Sequence, residues 1–441
     1  MKGFVIAGTG SGVGKTSIAT GIMHTLSKRM KVQGFKVGPD FIDPLYHTAA
    51  TGRRSGNLDT FMMSKDTMEG LAHYNSKGSD ITILEGVRGL YEGSSGVDDT
   101  GSTAEIAKAL DLPIILVVNV RSLTRSATAI VNGFKAFDRE IDIAGVILNQ
   151  VSGDQHERKL REAFEAYSDV DIFGVVRRDT NIDIEERYLG LDTTFSKREI
   201  AISHMADLTK DIDTDALISI ARGQDRDMVC PYHRRDSGLK AAIPLDDAYC
   251  FYFRENIECM EASGIEIEYF SPINGDMLPD ADIFYLGGGY PELYMDRISE
   301  NEDFLQGLKT ASEDGKVVIG ECGGLMTMCS SITNNGIEYR GSGIFDAKAN
   351  MVGIRHGPSY VVSAPNGNNP LFKSAIKGHE FHYSEITPDV KGAIYGYDVV
   401  RGNGILNKKD GLVKKNSIGT YMHSHALSVE DWMKDVCECC R

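Results

Sequence analysis

The chain has 441 residues, of which 41% are apolar and 25% charged, with a net charge of -16. That length is too great for one compact core and calls for two or three domains of an ordinary water-soluble protein. The acidic surplus argues against a nucleic-acid partner, whose phosphates need a basic face, and no apolar run nears the roughly 20 residues that span a bilayer.

Met1-Lys2-Gly3 leads straight into a strand without the shape of a signal peptide, so a cytoplasmic enzyme is expected. Lys2–Gly8 reads as a strand and Lys15–Met30 as a helix. Asp80–Gly86, Pro113–Val120 and Ile143–Val151 are short, nearly continuous Val/Ile/Leu runs that suit strands buried on both faces of a parallel sheet. Helical stretches follow each of them, which predicts a doubly wound α/β domain over residues 1–222.

The segment Gly8-Thr-Gly-Ser-Gly-Val-Gly14-Lys15-Thr16 sits between that first strand and helix, the setting a P-loop needs. Backbone N–H groups of Gly12, Val13, Gly14, Lys15, Thr16 and Ser17 would cradle the phosphates of ATP or a similar nucleotide. Lys15 would add charge at the β/γ-phosphates, and the Thr16 hydroxyl would reach Mg²⁺. The leading glycine of the usual spacing falls on Thr9, with Gly8 one place earlier. Switch proteins of the partitioning type carry an extra lysine where Gly10 stands, so its absence disfavours that class.

Two acidic turns follow strands at the end of the sheet where ligands bind. Val37-Gly-Pro-Asp40-Phe-Ile-Asp43-Pro and Leu84-Glu85-Gly-Val-Arg88-Gly-Leu-Tyr-Glu92 supply Asp40 and Glu85 as metal ligands beside Thr16, with Asp43 close by as a catalytic carboxylate. Asn149, ending Gly-Val-Ile-Leu-Asn, is a candidate to bind adenine; capping the next helix is the bland alternative.

Around Arg222–Lys240 the apolar period disappears, and residues 223–240 read as a linker. A second α/β domain is expected over 241–441: strand Ala241–Leu245, helix Arg254–Ala262, strands Glu266–Phe270 and Asp282–Leu286, a helix near Glu302–Ser312, strand Val317–Glu321, and further strands between Gly341 and Val400. Val317-Val-Ile-Gly-Glu321-Cys322-Gly-Gly puts a cysteine at a strand-to-helix turn, where the helix N-terminus would lower the thiol pKa. Gly323, with Gly288 and Gly289 of Tyr285-Leu-Gly-Gly-Gly-Tyr-Pro-Glu292, would donate to an oxyanion. Gly419-Thr-Tyr-Met-His423-Ser-His425 offers histidines, of which His423 is the expected base.

The eight cysteines show no disulfide spacing, and reduced thiols are expected. The terminal Cys437-Glu-Cys439-Cys440 lacks a matching Cys/His pair for a closed metal site, so loose thiols on a frayed tail are the simpler reading.

Together these motifs, with Glu186-Arg-Tyr-Leu-Gly-Leu and Gly378-His-Glu-Phe-His-Tyr-Ser, make the chain resemble the cobyrinate a,c-diamide synthases and the related nickel-sirohydrochlorin a,c-diamide synthases essentially end to end. The resemblance implies a dethiobiotin-synthetase-like P-loop domain joined to a class I glutamine amidotransferase domain. It implies ATP, Mg²⁺ and L-glutamine, a tetrapyrrole polycarboxylate as substrate, and a possible homodimer as in fold relatives. Cys322 would be the glutaminase nucleophile and His423 its base. His425 stands where the wider class often has Glu, which implies a dyad with no carboxylate orienter. Tyr188 and Glu92 stand where the family more often shows His and Asp. Candidate clamps for the substrate carboxylates are His47, Arg53, Arg54, Arg88, Arg187, His379 and His382. The resemblance does not separate cobyrinate from nickel sirohydrochlorin. Two further readings are a cobyric acid synthase acting on other corrin carboxylates, and a regulatory P-loop ATPase carrying an inert amidotransferase module.

Overall fold

The computed structural model describes residues 1–178, 195–224, 230–388 and 392–440. The Glu186–Leu191 motif, with Arg187 and Tyr188, lies outside them. The chain divides into two units, Met1–Pro231 and Tyr232–Arg441.

In the first unit the apolar runs become β1 (Gly3–Gly8), β2 (Val32–Val37), β3 (Gly56–Leu58), β4 (Ile81–Glu85), β5 (Ile114–Asn119), β6 (Ile143–Val151) and β7 (Asp171–Arg177). They form one sheet in the order β3-β2-β4-β1-β5-β6-β7, parallel throughout. Phe4, Val5, Ile6 and Ala7 of β1 are fully buried, as are Ile114 to Val117 of β5. Helices cover both faces, so each strand needs apolar residues at every position rather than every second one. Each such Val, Ile or Leu contributes about 1.5–3 kcal/mol of burial. The ends of β1, β2 and β4 bring their three following loops to the same edge of the sheet, the edge where ligands sit in open α/β sheets. β3 and β7, not singled out in the sequence, are a three-residue strand and a half-exposed one at the sheet's two edges.

The second unit contains β8 (Lys240–Pro244), β9 (Tyr249–Phe251), β10 (Glu266–Phe270), β11 (Ile283–Leu286), β12 (Gly288–Gly289), β13 (Val317–Glu321), β14 (Cys329–Asn334), β15 (Ile337–Arg340), β16 (Phe345–Pro365), β17 (Ile376–Pro388), β18 (Tyr395–Arg401), β19 (Lys409–Lys414), β20 (Ser417–Thr420) and β21 (His423–Ser424). The large sheet runs β10-β8-β11-β13-β20-β19-β18-β16-β14-β15, with β17 joining β16 to β21. From β10 to β20 the pairing is parallel; beyond it the β20-β19-β18-β16 steps are antiparallel. Successive residues of β11 enter opposite cores: Phe284 and Leu286 one, Ile283 and Tyr285 the other. This places the end of β13, and Cys322 after it, in the interior of the sheet.

The boundary at Pro231/Tyr232 falls inside the expected linker, whose later half belongs to the second unit. Tyr232 donates to Glu258, and Arg235 forms an ion pair with Asp431. The terminal cysteines are not on a frayed tail. Trp432–Cys439 is a helix, and Cys437 is buried in a core with Trp432 and Val436. Cys439 Sγ donates to the Pro370 carbonyl. Among the described residues no helix is long and apolar enough to cross a membrane, and no group of three His, Cys, Asp or Glu side chains is placed to hold a metal ion.

Candidate active site

The loop after β1 turns on two left-handed glycines, Gly12 (φ 72) and Gly14 (φ 93), before helix α1 (Lys15–Ser27) begins. Such angles penalise any side chain. The displaced leading glycine has a packing reason. A Cβ on Gly8 would lie 2.6 Å from Val13 Cγ2 and 3.0 Å from Lys15 Cδ. Lys15 is buried, and its Nζ donates to the Gly10 carbonyl at 3.0 Å and to the Arg88 carbonyl. Burial and repulsion from Lys36 lower its pKa to about 8, against the pull of Glu85, Asp43 and Glu92. A bound phosphate would reverse that shift. Ser17 follows in the first turn of α1.

Asn149 does not cap a helix. Its amide donates to the Val13 carbonyl at 2.8 Å, and its oxygen accepts from Gln150 N–H. A Cβ on Gly14 would lie 2.3 Å from Asn149 Nδ2, so this residue buttresses the loop; the N-cap of the next helix is Gly153.

The carboxylates arrange themselves differently from the expected pair of Asp40 and Glu85. The Thr16 hydroxyl lies 2.7 Å from Glu85 Oε1 and 3.3 Å from Asp43 Oδ2. Glu85 Oε1 also accepts from Lys36 Nζ at 2.9 Å, and Oε2 meets His47 Nε2 at 2.7 Å, so both Glu85 oxygens are engaged by protein groups. Asp40 Oδ1 accepts from the N–H groups of Ile42 and Asp43 at the start of helix α2 (Ile42–Thr51), which occupies that oxygen with holding the turn. Asp43, placed among catalytic groups from sequence, is the second acid near Thr16 and lies 2.6 Å from Lys36. Burial, then Asp40 and Glu85, push its carboxyl well up, because three acids share one buried lysine. Burial alone would raise Glu85, but Lys36 and His47 hold it well below the carboxylate range. The Thr16 hydroxyl with Glu85 and Asp43 beside it is oxygen chemistry that suits Mg²⁺, and Lys36 engages both acids alike.

Lys36 is the residue that sequence reasoning missed here. It pairs directly with Glu85 across β2 and β4 and is almost fully buried. A lysine inside Val-Gln-Gly-Phe-Lys-Val, a strand otherwise buried at every position, was the available signal. Of the expected clamps, His47 is completely buried against Glu85 and cannot meet a substrate. Arg53 is spent on Gln33 and on the carbonyls of Asn75 and Lys77. Arg88 is exposed, with a left-handed backbone (φ 46) that presents its carbonyl to Lys15. Its side chain, like that of Arg54, is exposed.

In the second unit Cys322 holds φ 50 and ψ -100 between β13 and helix Gly323–Met328, a strained angle for a non-glycine residue. Its N–H donates to Thr420 O at 2.8 Å, which ties the elbow to β20. Burial, then Glu292, push the thiol up to about 12, although the Gly323 N–H pulls the other way. The expected lowering by the helix N-terminus therefore does not occur: a six-residue helix is outweighed by desolvation and neighbouring acids.

The two glycine turns close on each other. Gly324 N–H donates to Gly287 O at 3.0 Å, and Gly289 N lies 3.3 Å from where a Gly323 Cβ would stand. A Cβ on Gly288 would lie 2.3 Å from His423 Cε1, so the imidazole occupies space that only glycine leaves. We predict that Gly324→Ala, whose Cβ would fall 2.2 Å from Leu286 O, lowers stability by about 1–3 kcal/mol through overpacking. Calorimetry and ammonia release from glutamine should show both the lower melting transition and a damaged glutaminase.

His423 pairs with His379 in register between β21 and β17. Burial, then His379 and His382, lower the His423 pKa well below its ordinary value, leaving a neutral ring able to accept a proton. Glu321 Oε2 stands 4.0 Å from His423 Nδ1, beyond hydrogen-bond distance, and burial raises its pKa to about 7. Glu321 also accepts from Tyr285 at 2.9 Å and from the Ser424 N–H and hydroxyl at 3.0 and 2.5 Å. His425 is fully buried, 3.5 Å from Glu255. A further buried acid, Asp410, accepts from Thr420 Oγ1 at 2.6 Å and from Tyr421 N–H at 3.2 Å, fixing the turn that carries His423. His379 and His382 do not suit the clamp role assigned from sequence. Burial lowers their pKa to about 3 and about 4, so both rings are uncharged. His382 stacks on Tyr421 at 3.6 Å.

Residues 4–190 match the CobQ/CobB/MinD/ParA nucleotide binding domain, and residues 240–431 match the CobB/CobQ-like glutamine amidotransferase domain. A protein from Methanosphaera stadtmanae is 41% identical over 98% of this chain and 97% of its own length. One from Methanocaldococcus jannaschii is 43% identical over 97% of both chains, and one from Methanothermobacter thermautotrophicus 42% identical over 96% of both. All three are cobyrinate a,c-diamide synthases.

The chain belongs to the cobyrinate a,c-diamide synthase family.

Membership makes it a glutamine-dependent amide ligase with a nucleotide-binding unit.

Proposed function

We propose that this chain uses ATP and glutamine to convert the a- and c-acetate carboxylates of cobyrinate to amides. The observation that carries the reading is identity of 41–43% to cobyrinate a,c-diamide synthases over 97–98% of this chain. That full-length match favours the a,c-enzyme over a cobyric acid synthase, and the intact elbow, glycine turns and His423 speak against an inert amidotransferase module.

A carboxylate resists ammonia because oxide is a poor leaving group. Attack of a substrate carboxylate oxygen on the γ-phosphorus, with ADP leaving, gives an acyl phosphate. Gly12, Val13, Gly14 and the start of α1 would hold the phosphates, and Lys15 would stabilise the charge on the transferring group. Thr16, with Glu85 and Asp43, would hold Mg²⁺, which when bound neutralises phosphate charge. Arg88, exposed at the same loop, is our candidate for a substrate carboxylate. In the second unit Cys322 Sγ attacks the glutamine amide carbon while His423 takes the thiol proton. Gly288, Gly289 and Gly323 would donate to the oxyanion, and His423 would return the proton to departing ammonia, leaving a thioester that water cleaves to glutamate. Ammonia then attacks the acyl phosphate and phosphate leaves. Two carboxylates require two rounds.

Mass spectrometry after incubation with ATP, glutamine and cobyrinate should show two added amides. Amidation of a nickel sirohydrochlorin offered in parallel, with cobyrinate untouched, would replace the substrate and keep the chemistry.

A further inference from the structure

Glu292 is a motif residue that the reaction above leaves unused. It lies in the short turn Pro291–Leu293, directly after the Gly288–Gly289 strand. This turn packs on the nucleophile elbow: a Cβ on Gly323 would stand 2.8 Å from Pro291 Cδ. The turn is fixed on both sides, since Tyr294 N–H donates to Pro291 O at 2.9 Å and Asn334 Nδ2 to Glu292 O at 2.8 Å. The carboxyl itself, apart from its own backbone N–H, has no hydrogen bond or ion pair among the described residues. It is only partly covered, yet it sits deep enough that burial raises its pKa to about 7. Its field reaches Cys322, for which it is the leading charged influence after burial.

A partly covered carboxylate on a turn packed against the nucleophile elbow, with no cation paired to it among the described residues, is matched by a small cationic group arriving with the substrate. Glutamine carries one such group, the α-ammonium, three carbons from the amide that Cys322 attacks. We propose that Glu292 receives the α-ammonium group of glutamine and so selects the free amino acid over other primary amides. The proposal rests on the glutaminase reading of Cys322. It adds a coupling between recognition and chemistry. While Glu292 is unpaired its charge opposes formation of the thiolate; an ammonium group bound there cancels that opposition when the amide is in place. Cys322 is thereby protected from reacting in the absence of glutamine.

The test compares ammonia release from glutamine and from 4-carbamoylbutanoate, which lacks only the α-ammonium, by the full chain with ATP and cobyrinate present. The wild-type chain is expected to prefer glutamine in kcat/KM by on the order of 100-fold or more. In Glu292→Gln the preference should fall to within about tenfold, through a raised KM for glutamine together with a faster reaction of the analogue, since Cys322 is no longer opposed by an unpaired charge. Should Glu292→Gln not fold, as judged by thermal unfolding, Glu292→Asp is read in the same way and should keep a reduced preference. Undiminished preference in the folded variant overturns the role of Glu292 alone. Absence of ammonia release from either amide by the wild-type chain overturns the glutaminase reading as well.

Discussion

Cys322→Ala is expected to remove glutamine-driven amidation, lowering its rate by roughly 10³-fold or more, while amidation driven by added ammonium chloride persists. The argument is one of position. Cys322 ends a strand in the middle of the sheet, at φ 50, between the Gly287–Gly289 turn and the turn that carries His423. Alanine has no nucleophile to place there, and water in the same elbow would lack the thiol's polarisable sulfur. The raised thiol pKa strengthens the expectation, since a thiol near 12 is inert until a base takes its proton. We propose the neutral His423 ring as that base. Steady-state assays with each nitrogen source check the prediction, and full glutamine-dependent activity in the variant would sink the nucleophile assignment. Loss of both activities would point instead to a folding defect, which calorimetry of the same sample identifies.

How far such sites could be read from sequence depended on whether the chemistry is local. The P-loop is one continuous segment, so strand, glycines, lysine and helix announce each other; β13, the Arg254–Ala262 helix and β10 have the bounds their periodicity predicts. Glu321 was quoted in its motif and passed over because Ser424, which donates to it, is about a hundred residues away in the chain, and the β13–β20 pairing brings them together. His379 and His382 misled for a related reason. Histidines in a Gly-His-Glu-Phe-His-Tyr-Ser run look like ligands, but β17 is an interior strand, paired with both β16 and β21, and burial strips the rings of charge. Asp40 and Asp43 part because helix α2 begins between them: Asp40 accepts from the N–H groups of Ile42 and Asp43, and Asp43 rides the first turn toward Thr16.

Lys36 carries the second large expectation. It is 3% exposed, 2.6 Å from Asp43 and 2.9 Å from Glu85, and pairs with Glu85 in register across the sheet. Burial alone would lower its pKa, yet the two carboxylates raise it well above the ordinary lysine value, so it is charged in the folded protein. Lys36→Met fills similar volume but leaves both acids without their shared cation. Removing one partner of a buried ion pair costs about 3–5 kcal/mol, and a unit of this size should lose on the order of 10 °C in the melting transition assigned to it. A second substitution identifies the cause. In Lys36→Met/Glu85→Gln one of the stranded charges is gone, so the pair of changes should cost less than Lys36→Met alone, a coupling that a double-mutant cycle measures directly. If Lys36→Met shifts the transition by less than about 1 °C, the ion pair is not what holds β2 to β4 at the phosphate edge. The same variant bears on nucleotide binding, because Lys36 sets the charge around both Lys15 and Asp43. With Lys36 gone, Asp43 and Glu85 exert an unbalanced negative field on the phosphate loop, and ATP affinity should fall even in molecules that remain folded.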